Sequence, residues 1–313
     1  MSMKPGTPPP PQPTARGLRL GLCCQFASEP IRFRTTTATS VARLPRADRL
    51  RKLAGLCAEN AKALRQALEY CATHGIGSFR ILTPILPVKT HPTAGYRVEE
   101  LPGAEGIVTL FRQCGDFARQ AGIRTGFHPD QFVVLNSPDE SIVERSLADI
   151  ESQAEIAEWT NADTVNIHGG GAYGDKRSAL DRFLRAADRL SDRARSRLTV
   201  ENDDRTFTPE DLLPVCRAGG IPLVYDVHHH RCCSDSLSIA EATEAARATW
   251  NREPLFHLSS PIEGWSGPRP ERHHDYIDPS DFPPIWRGWP LTVEVEAKAK
   301  EEAVMRLRGS LTP

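Results

Sequence analysis

The chain has 313 residues, 39% of them hydrophobic and 25% charged, with a formal net charge of −1. That balance excludes a globally basic nucleic-acid-binding surface, so an anionic partner would have to be held by a local patch or by metal charge. No apolar run is long enough to span a membrane and the N-terminus lacks the apolar core of a signal peptide, which predicts a cytoplasmic protein.

In chain order, residues 1–16 are proline-rich and are expected to form a disordered or extended tail. Residues 18–24 read as a first strand. The polar connection 28–46 follows, carrying Arg32, Arg34, Arg43 and Arg46 against the single acid Glu29. It is either a solvated loop or a phosphate-contacting one. Apolar residues at helical spacing between 49 and 73 predict a helix. Strands are then expected over 77–82, 124–128, 163–168, 197–201, 221–226, 254–258 and 290–296. Helices are expected between them over 106–121, 140–159, 175–193, from 208 to the Gly219-Gly220 stop, 238–250 and 298–307. Thr208 is the expected N-cap of its helix, with Pro209 in the first position. Residues 259–289 form a long loop rich in Pro, Gly and Trp, whose Trp265, Trp286 and Trp289 are expected to pack locally. The domain is expected to span 17–308, with 309–313 a flexible tail.

Strands alternating with helices in this number and length predict a single (β/α)8 TIM barrel. A doubly wound sheet is disfavoured, since no G-x-G-x-x-G follows the first strand. The strand-like runs end in His or Glu: His128, His168, Glu201, His257 and Glu296. The run 223–227 leads into Asp226-x-x-His229. His91 and His273 lie in loops leaving the same face. In a barrel the C-terminal strand ends form one site, so these residues would converge there. Imidazole and carboxylate without thiolate suit Zn²⁺, Mn²⁺ or Fe²⁺. So many ligands predict two or three ions, and paired metals activate water and clamp the oxygens of a phosphoryl displacement. The cysteines include no C-x-x-C spacing, which speaks against structural zinc and against a disulfide framework, and they are expected to be reduced and partly buried.

Two features flank this constellation. The glycine-rich run 169–174, ending before Asp175-Lys176, either presents backbone N–H groups to an anion or is simply a tight loop. Gln131 and Phe132 follow His128-Pro129-Asp130, and such an amide–aromatic pair could replace a base's stacking and pairing partners. The alternative is that Phe132 packs with Val133-Val134-Leu135.

Taken together, Phe79-Arg80-Ile81-Leu82 with His91, His128-Pro129-x-Gln131-Phe132, Asn166-Ile167-His168-Gly169-Gly170, Tyr173-Gly174-Asp175-Lys176, Glu201-Asn202-Asp203, Asp226-x-x-His229, His257-x-Ser259, His273-x-Asp275-Tyr276 and Glu296-Ala297-Lys298 resemble, in this order, the UV damage endonucleases. The resemblance covers about residues 18–308. It implies a TIM barrel with three divalent ions, usually Mn²⁺, with Zn²⁺ or Mg²⁺ as alternatives. It also implies a DNA repair endonuclease that nicks immediately 5′ of UV photoproducts, cyclobutane dimers and 6-4 products, through metal-activated water. His91, His128, His168, Glu201, Asp226, His229, His257, His273 and Glu296 are the implied metal ligands, with Glu201, His168 and Asp226 at the centre of catalysis. His229 is chosen over His228, and His273 over His274, by the family spacing. Gln131 and Phe132 are the implied wedge, and Arg32, Arg34 and Lys176 the expected further DNA contacts. The expected partner is UV-damaged double-stranded DNA, bound by a monomer. The chain departs from the family at Phe132, usually tyrosine, and at Leu255, where a lysine typically precedes the strand-seven histidine by two residues. The alternatives are a sugar isomerase or epimerase on the same barrel, an endonuclease IV-like abasic-site nuclease, and a lesion-binding module without cleavage.

Overall fold

In the computed structural model, residues 17–311 are described. The expected 1–16 tail therefore lies outside them. Eight parallel strands carry the architecture: β1 (Leu18–Cys23), β2 (Ser78–Ile81), β3 (Arg124–Phe127), β4 (Thr164–His168), β5 (Leu198–Glu201), β6 (Leu223–Val224), β7 (Leu255–Leu258) and β8 (Leu291–Val295). The helices are α1 (Ala38–Ala42), α2 (Arg46–Thr73), α3 (Ala104–Ala121), α4 (Glu140–Thr160), α5 (Lys176–Ala187), α6 (Asp192–Arg195), α7 (Pro209–Gly219), α8 (Val227–Cys232), α9 (Ile239–Arg247) and α10 (Lys300–Leu311). The ladder runs β6-β5-β4-β3-β2-β1-β8-β7. A single bridge between Asp226 and His257 joins the last two edges, and the His257 N–H donates to the Tyr225 carbonyl at 3.0 Å. The sheet is thus a nearly closed (β/α)8 barrel, as expected.

The strands alternate rather than running continuously apolar. Phe79 and Ile81, Val165 and Ile167, Leu198 and Val200, Phe256 and Leu258, and Val293 and Val295 are all buried in one apolar core with the helices. The residues between them point into the barrel, as the two-residue period of a strand requires. They are Ser78 and Arg80, Asn166 and His168, Thr199 and Glu201, His257, and Glu294 and Glu296. The barrel interior is polar, so these strands need an apolar surface only on the helix side. Leu255 and Val224 are apolar exceptions: both are buried, yet stand apart from the outer core.

Several boundaries differ from expectation for local reasons. Strand six is short because Asp226, bridged singly to His257, already caps α8, its Oδ1 accepting from the His229 N–H at 2.8 Å. The histidine run is therefore helical. The helix expected over 175–193 is two helices, the second started by Ser191, whose hydroxyl accepts from the Ala194 N–H. The connection 28–46 holds the short helix α1, capped by Thr37. Helix α10 continues to Leu311, three residues into the stretch expected as a tail. The Thr208 cap, with Pro209 next, is as expected and includes a reciprocal bond from the Thr208 N–H to Asp211 at 3.0 Å. No helix among the described residues is long and apolar enough to cross a membrane.

Candidate metal centre

The inward residues at the C-terminal strand ends meet at the floor of a cavity of about 910 Å³. Their donor atoms fall into three groups, within each of which the atoms lie within 4.8 Å of one another: His128, His168 and Glu201; Glu201, Asp226 and His229; and Asp226, His257 and Glu296. Glu201 is common to the first two groups and Asp226 to the last two. One carboxylate thus joins each neighbouring pair, the arrangement that lets adjacent cations share a ligand.

Glu201 is fully buried at the centre. Its Oε2 lies 3.2 Å from His128 Nε2 and 3.1 Å from His257 Nδ1, and its Oε1 lies 3.3 Å from His229 Nδ1. Burial opposes its charge, but His257, His168 and His128 outweigh that penalty and hold the carboxyl well below the usual carboxylate range. Burial also opposes a charged His257, yet Glu201, with Glu296 adding to it, drives that imidazole up to about 10. His128 Nε2, His168 Nδ1, Glu201 Oε1 and Asp226 Oδ2 are buried without a well-formed hydrogen bond. Buried polar atoms left this way normally have an unseen partner. Nitrogen and carboxylate oxygen donors, orphaned and converging, fit divalent cations.

Asparagines that the sequence reading left without a role orient this centre. Asn166 donates to Glu201 Oε2 at 2.5 Å, and its own oxygen accepts from Thr199 at 3.0 Å. Asn202 clamps the Asp226 backbone, accepting from its N–H at 3.0 Å and donating to its carbonyl at 2.9 Å. The Asn202 carbonyl also lies 3.0 Å from His229 Nδ1. A carbonyl only accepts, so this contact places a proton on Nδ1 and leaves Nε2 as the donor atom. Buried Arg80 reaches Glu296 at 2.6 Å and Glu294 at 2.5 Å. A charged residue between Phe79 and Ile81, and a second Glu two positions before Glu296, were the signals available for this pair.

Outside the donor groups, His273 lines the same cavity with Nδ1 at 3.8 Å from Glu296 Oε2. His91 is exposed and lines a neighbouring cavity of about 530 Å³, its Nδ1 accepting from the Thr93 and Ala94 N–H groups at 3.2 Å each. Neither joins the groups as the ligand reading required. Between the paired candidates, His229 enters the groups, whereas His228 is buried against Trp265 with ring centroids 5.1 Å apart. His274 is turned away, its Nδ1 accepting from the Tyr276 N–H at 2.9 Å.

The expected DNA contacts divide. Phe132 is 76% exposed and lines the cavity mouth with Gln131, while Val133, Val134 and Leu135 are buried, so the packing alternative does not describe Phe132. Arg145, Arg205 and the exposed Tyr173 share that rim. Arg32, Arg34 and Lys176 do not line the cavity. Arg32 turns back onto backbone carbonyls, Arg34 pairs with Glu59 at 3.5 Å, and Lys176 pairs with Asp211 at 2.6 Å. The glycine-rich run is a tight loop: Asn136 donates to the Gly169 and Gly171 carbonyls at 2.7 and 2.8 Å. Gly170 takes φ +82°, and a Cβ there would stand 2.3 Å from the Asn136 oxygen. All eight cysteines are free.

With this geometry in place, comparison with known proteins is informative. The family model UV-endonuclease UvdE matches residues 18–312. The chain is 37% identical over 307 residues to the UV DNA damage endonuclease of Deinococcus radiodurans, covering 93% of this chain and 94% of that one. It is 33% identical over 305 residues to the enzyme of the same name from Bacillus velezensis, covering 92% and 91%. Among solved structures, SacUVDE superposes with a TM-score of 0.83 at 26% identity, over 94% of this chain and 98% of that one. Endonuclease IV from Thermus thermophilus superposes at 0.61 with 17% identity, over 94% and 97%, and shares the fold. An E. coli 3-keto-D-glucoside 4-epimerase, at 0.54 and 12%, shares the barrel in the same sense. The polar barrel, the shared-carboxylate cluster and these matches lead to one conclusion: the chain belongs to the UV-endonuclease UvdE family.

Proposed function

We propose that this nuclease is a metal-dependent DNA repair enzyme that nicks duplex DNA immediately 5′ of UV photoproducts, acting as a monomer built on a single barrel domain. The observation that carries the reading is the set of orphaned donor atoms joined through Glu201 and Asp226 beneath an open cavity. Divalent ions held there, manganese by family resemblance, would supply water activation and neutralise charge at the scissile phosphate. The ligand set is His128, His168, Glu201, Asp226, His229, His257 and Glu296, with His273 lining the same cavity and His91, on a neighbouring cavity, needing to swing in to join them. Glu201, His168 and Asp226 would hold the ions beneath the reacting phosphate, at the centre of catalysis.

The chain's own residues do the rest. Asn166 and Asn202 hold Glu201, Asp226 and His229 in fixed orientation, so little reorganisation is needed at the moment of reaction. Arg145 and Arg205 place positive charge on the rim for the phosphate backbone. Phe132 projects from a turn in which Asp130 accepts the Phe132 N–H at 3.1 Å, presenting the ring to stack in the gap left by extruded bases.

The test is nicking of a duplex with one defined photoproduct, beside undamaged and abasic duplexes. With Mn²⁺ the photoproduct strand should be cut just 5′ of the lesion. EDTA should abolish cutting, and excess Mn²⁺ should restore it. Cutting only at the abasic site would move the protein toward the activity of endonuclease IV. No cutting on any duplex with metal bound would sink the reading and reopen the sugar epimerase and lesion-binding alternatives.

Phe132 gives a second expected result. Base–aromatic stacking contributes about 1–3 kcal/mol, so Phe132→Ala should lower kcat/KM on the photoproduct roughly 10-fold to 100-fold. Phe132→Tyr should stay near wild type. Because the ring is exposed, the melting temperature should not move. An Ala variant with unchanged kcat/KM would remove Phe132 from lesion recognition.

A further inference from the structure

A further cavity, of about 460 Å³, adjoins the metal centre: His273 and Glu296 line both. It is built from the ends of β1 and β8 and the loop before His273, and it carries Arg272, Lys298 and Lys300. None of these three cations makes an ion pair or a side-chain hydrogen bond among the described residues. The carboxylates on the same lining leave them uncompensated. Glu296 is held by Arg80 at 2.6 Å, and Glu271 pairs with none of the three. The main cavity differs. There Arg205 is paired with Asp204 at 3.3 Å, and Asp130, Asp149 and Asp203 outnumber the remaining Arg145. A polyanion that reaches the ions therefore finds unpaired positive charge mainly beyond His273 and Glu296.

Backbone strain marks the same place. Cys24 at φ +62° and Lys300 at φ +49° both line this cavity. A left-handed backbone is costly for an L residue other than glycine, and it persists where the surrounding structure holds it. The Cys24 N–H is tied to the Arg80 carbonyl at 3.0 Å. At Lys300 the chain turns from β8 into α10, its N–H donating to the Ala297 carbonyl at 3.2 Å. Glycine would make that turn without strain, so what lysine adds there is its charge on the cavity wall. We propose that this cavity is a phosphate subsite: Lys298 and Lys300, with Arg272 beside them, hold a backbone phosphate of the bound duplex that flanks the scissile one. The shared wall of His273 and Glu296 lets one strand pass from the ions into the subsite. The proposal rests on the DNA reading above and adds where the strand runs once it leaves the ions.

The test uses the full chain and its double variant Lys298→Met/Lys300→Gly, with Lys62→Met on the outer face of α2 as the control. On a photoproduct duplex with Mn²⁺, the double variant should raise KM about 10-fold to 100-fold, the range for losing hydrogen bonds to a charged group. It should leave kcat unchanged, as loss of uniform binding does. The plot of log(kcat/KM) against log[salt] should flatten by about 1 for the phosphate released. A neutral methylphosphonate at one flanking position should raise the wild-type KM and add nothing in the double variant, which identifies the phosphate held. Methylphosphonates that cost wild type and double variant equally at every position would overturn the proposal. So would an unchanged KM and salt slope, or a fall in kcat alone. Anisotropy of a labelled undamaged duplex with Ca²⁺ runs alongside. If the wild type nicks no duplex, the reading of the function fails, and the salt slope of that binding still decides the subsite. The exposed Lys298→Met alone carries the test should the double variant fail to fold.

Discussion

Glu201→Gln should reduce nicking of a photoproduct-bearing duplex by roughly 10³-fold or more, since losing even one preorganised electrostatic group at a developing charge costs 10²–10³. Glu201 does more than one such group. It is common to two of the donor groups, and its oxygens lie within 3.3 Å of His128, His257 and His229. Glutamine keeps the volume and can still meet Asn166, so the barrel should remain folded. What is lost is the negative charge that balances the imidazoles and, on the proposed reading, would join neighbouring cations. Nicked product per time, bound metal per chain and the cooperativity of thermal unfolding should be measured on one preparation. Loss of cutting and of metal with an intact melting transition is the expected result. Unchanged nicking would take Glu201 out of the mechanism.

Trp286→Ala should cost about 3–5 kcal/mol of stability, the range for deleting a large buried aromatic. Trp286 lies in the long 259–289 loop yet is fully buried. Its ring centroid lies 5.5 Å from Phe256, 5.6 Å from Phe282 and 6.2 Å from Tyr225, and its N–H donates to Thr243 at 3.1 Å. Truncation opens a cavity and strands the Thr243 hydroxyl. The effect should reach the site, because the Tyr225 hydroxyl lies 2.7 Å from His230 Nδ1, and His230 Nε2 lies 2.9 Å from Asp235. That buried relay braces α8, which carries His229, and Tyr225 immediately precedes Asp226. Urea unfolding in excess chelator measures the stability term without a contribution from metal binding, and zinc titration measures the consequence for the site. A loss below about 0.5 kcal/mol, the size expected of a surface substitution, would show that the loop only drapes over the barrel.

Among the remaining residues, the reading of Phe132 gained most from the structure. From the sequence, an aromatic before Val133-Val134-Leu135 is either a wedge, as the family resemblance implies, or a packing residue. Its exposure removes the packing alternative, since Val133 and Leu135 enter the core without it, and leaves the wedge as the proposed role. Lys176 went the other way. A lysine after a glycine-rich loop reads as an anion contact, but it opens α5 and meets Asp211 of α7, a partner 35 residues away that no local pattern announces.

What the sequence by itself determined is what repeats locally. Helix and strand periods differ, caps such as Thr208 and Ser238 announce themselves, and the strand-like runs from the third onward end at or beside a residue able to bind metal. Those features, with the ordered motifs, were enough for the barrel, for His128, His168, Glu201, Asp226, His229, His257 and Glu296 as one site, and for the family. The tertiary structure alone decided which groups touch. Strand register and barrel closure set the distances that place Asn166 under Glu201, turn His228 away while His229 enters, and leave His91 on the rim. They also bring Arg80 of β2 to Glu294 of β8, 214 residues apart. A two-residue period tells which face a side chain takes, but the depth at which neighbouring strands align is a long-range property that only the register and closure of the barrel set.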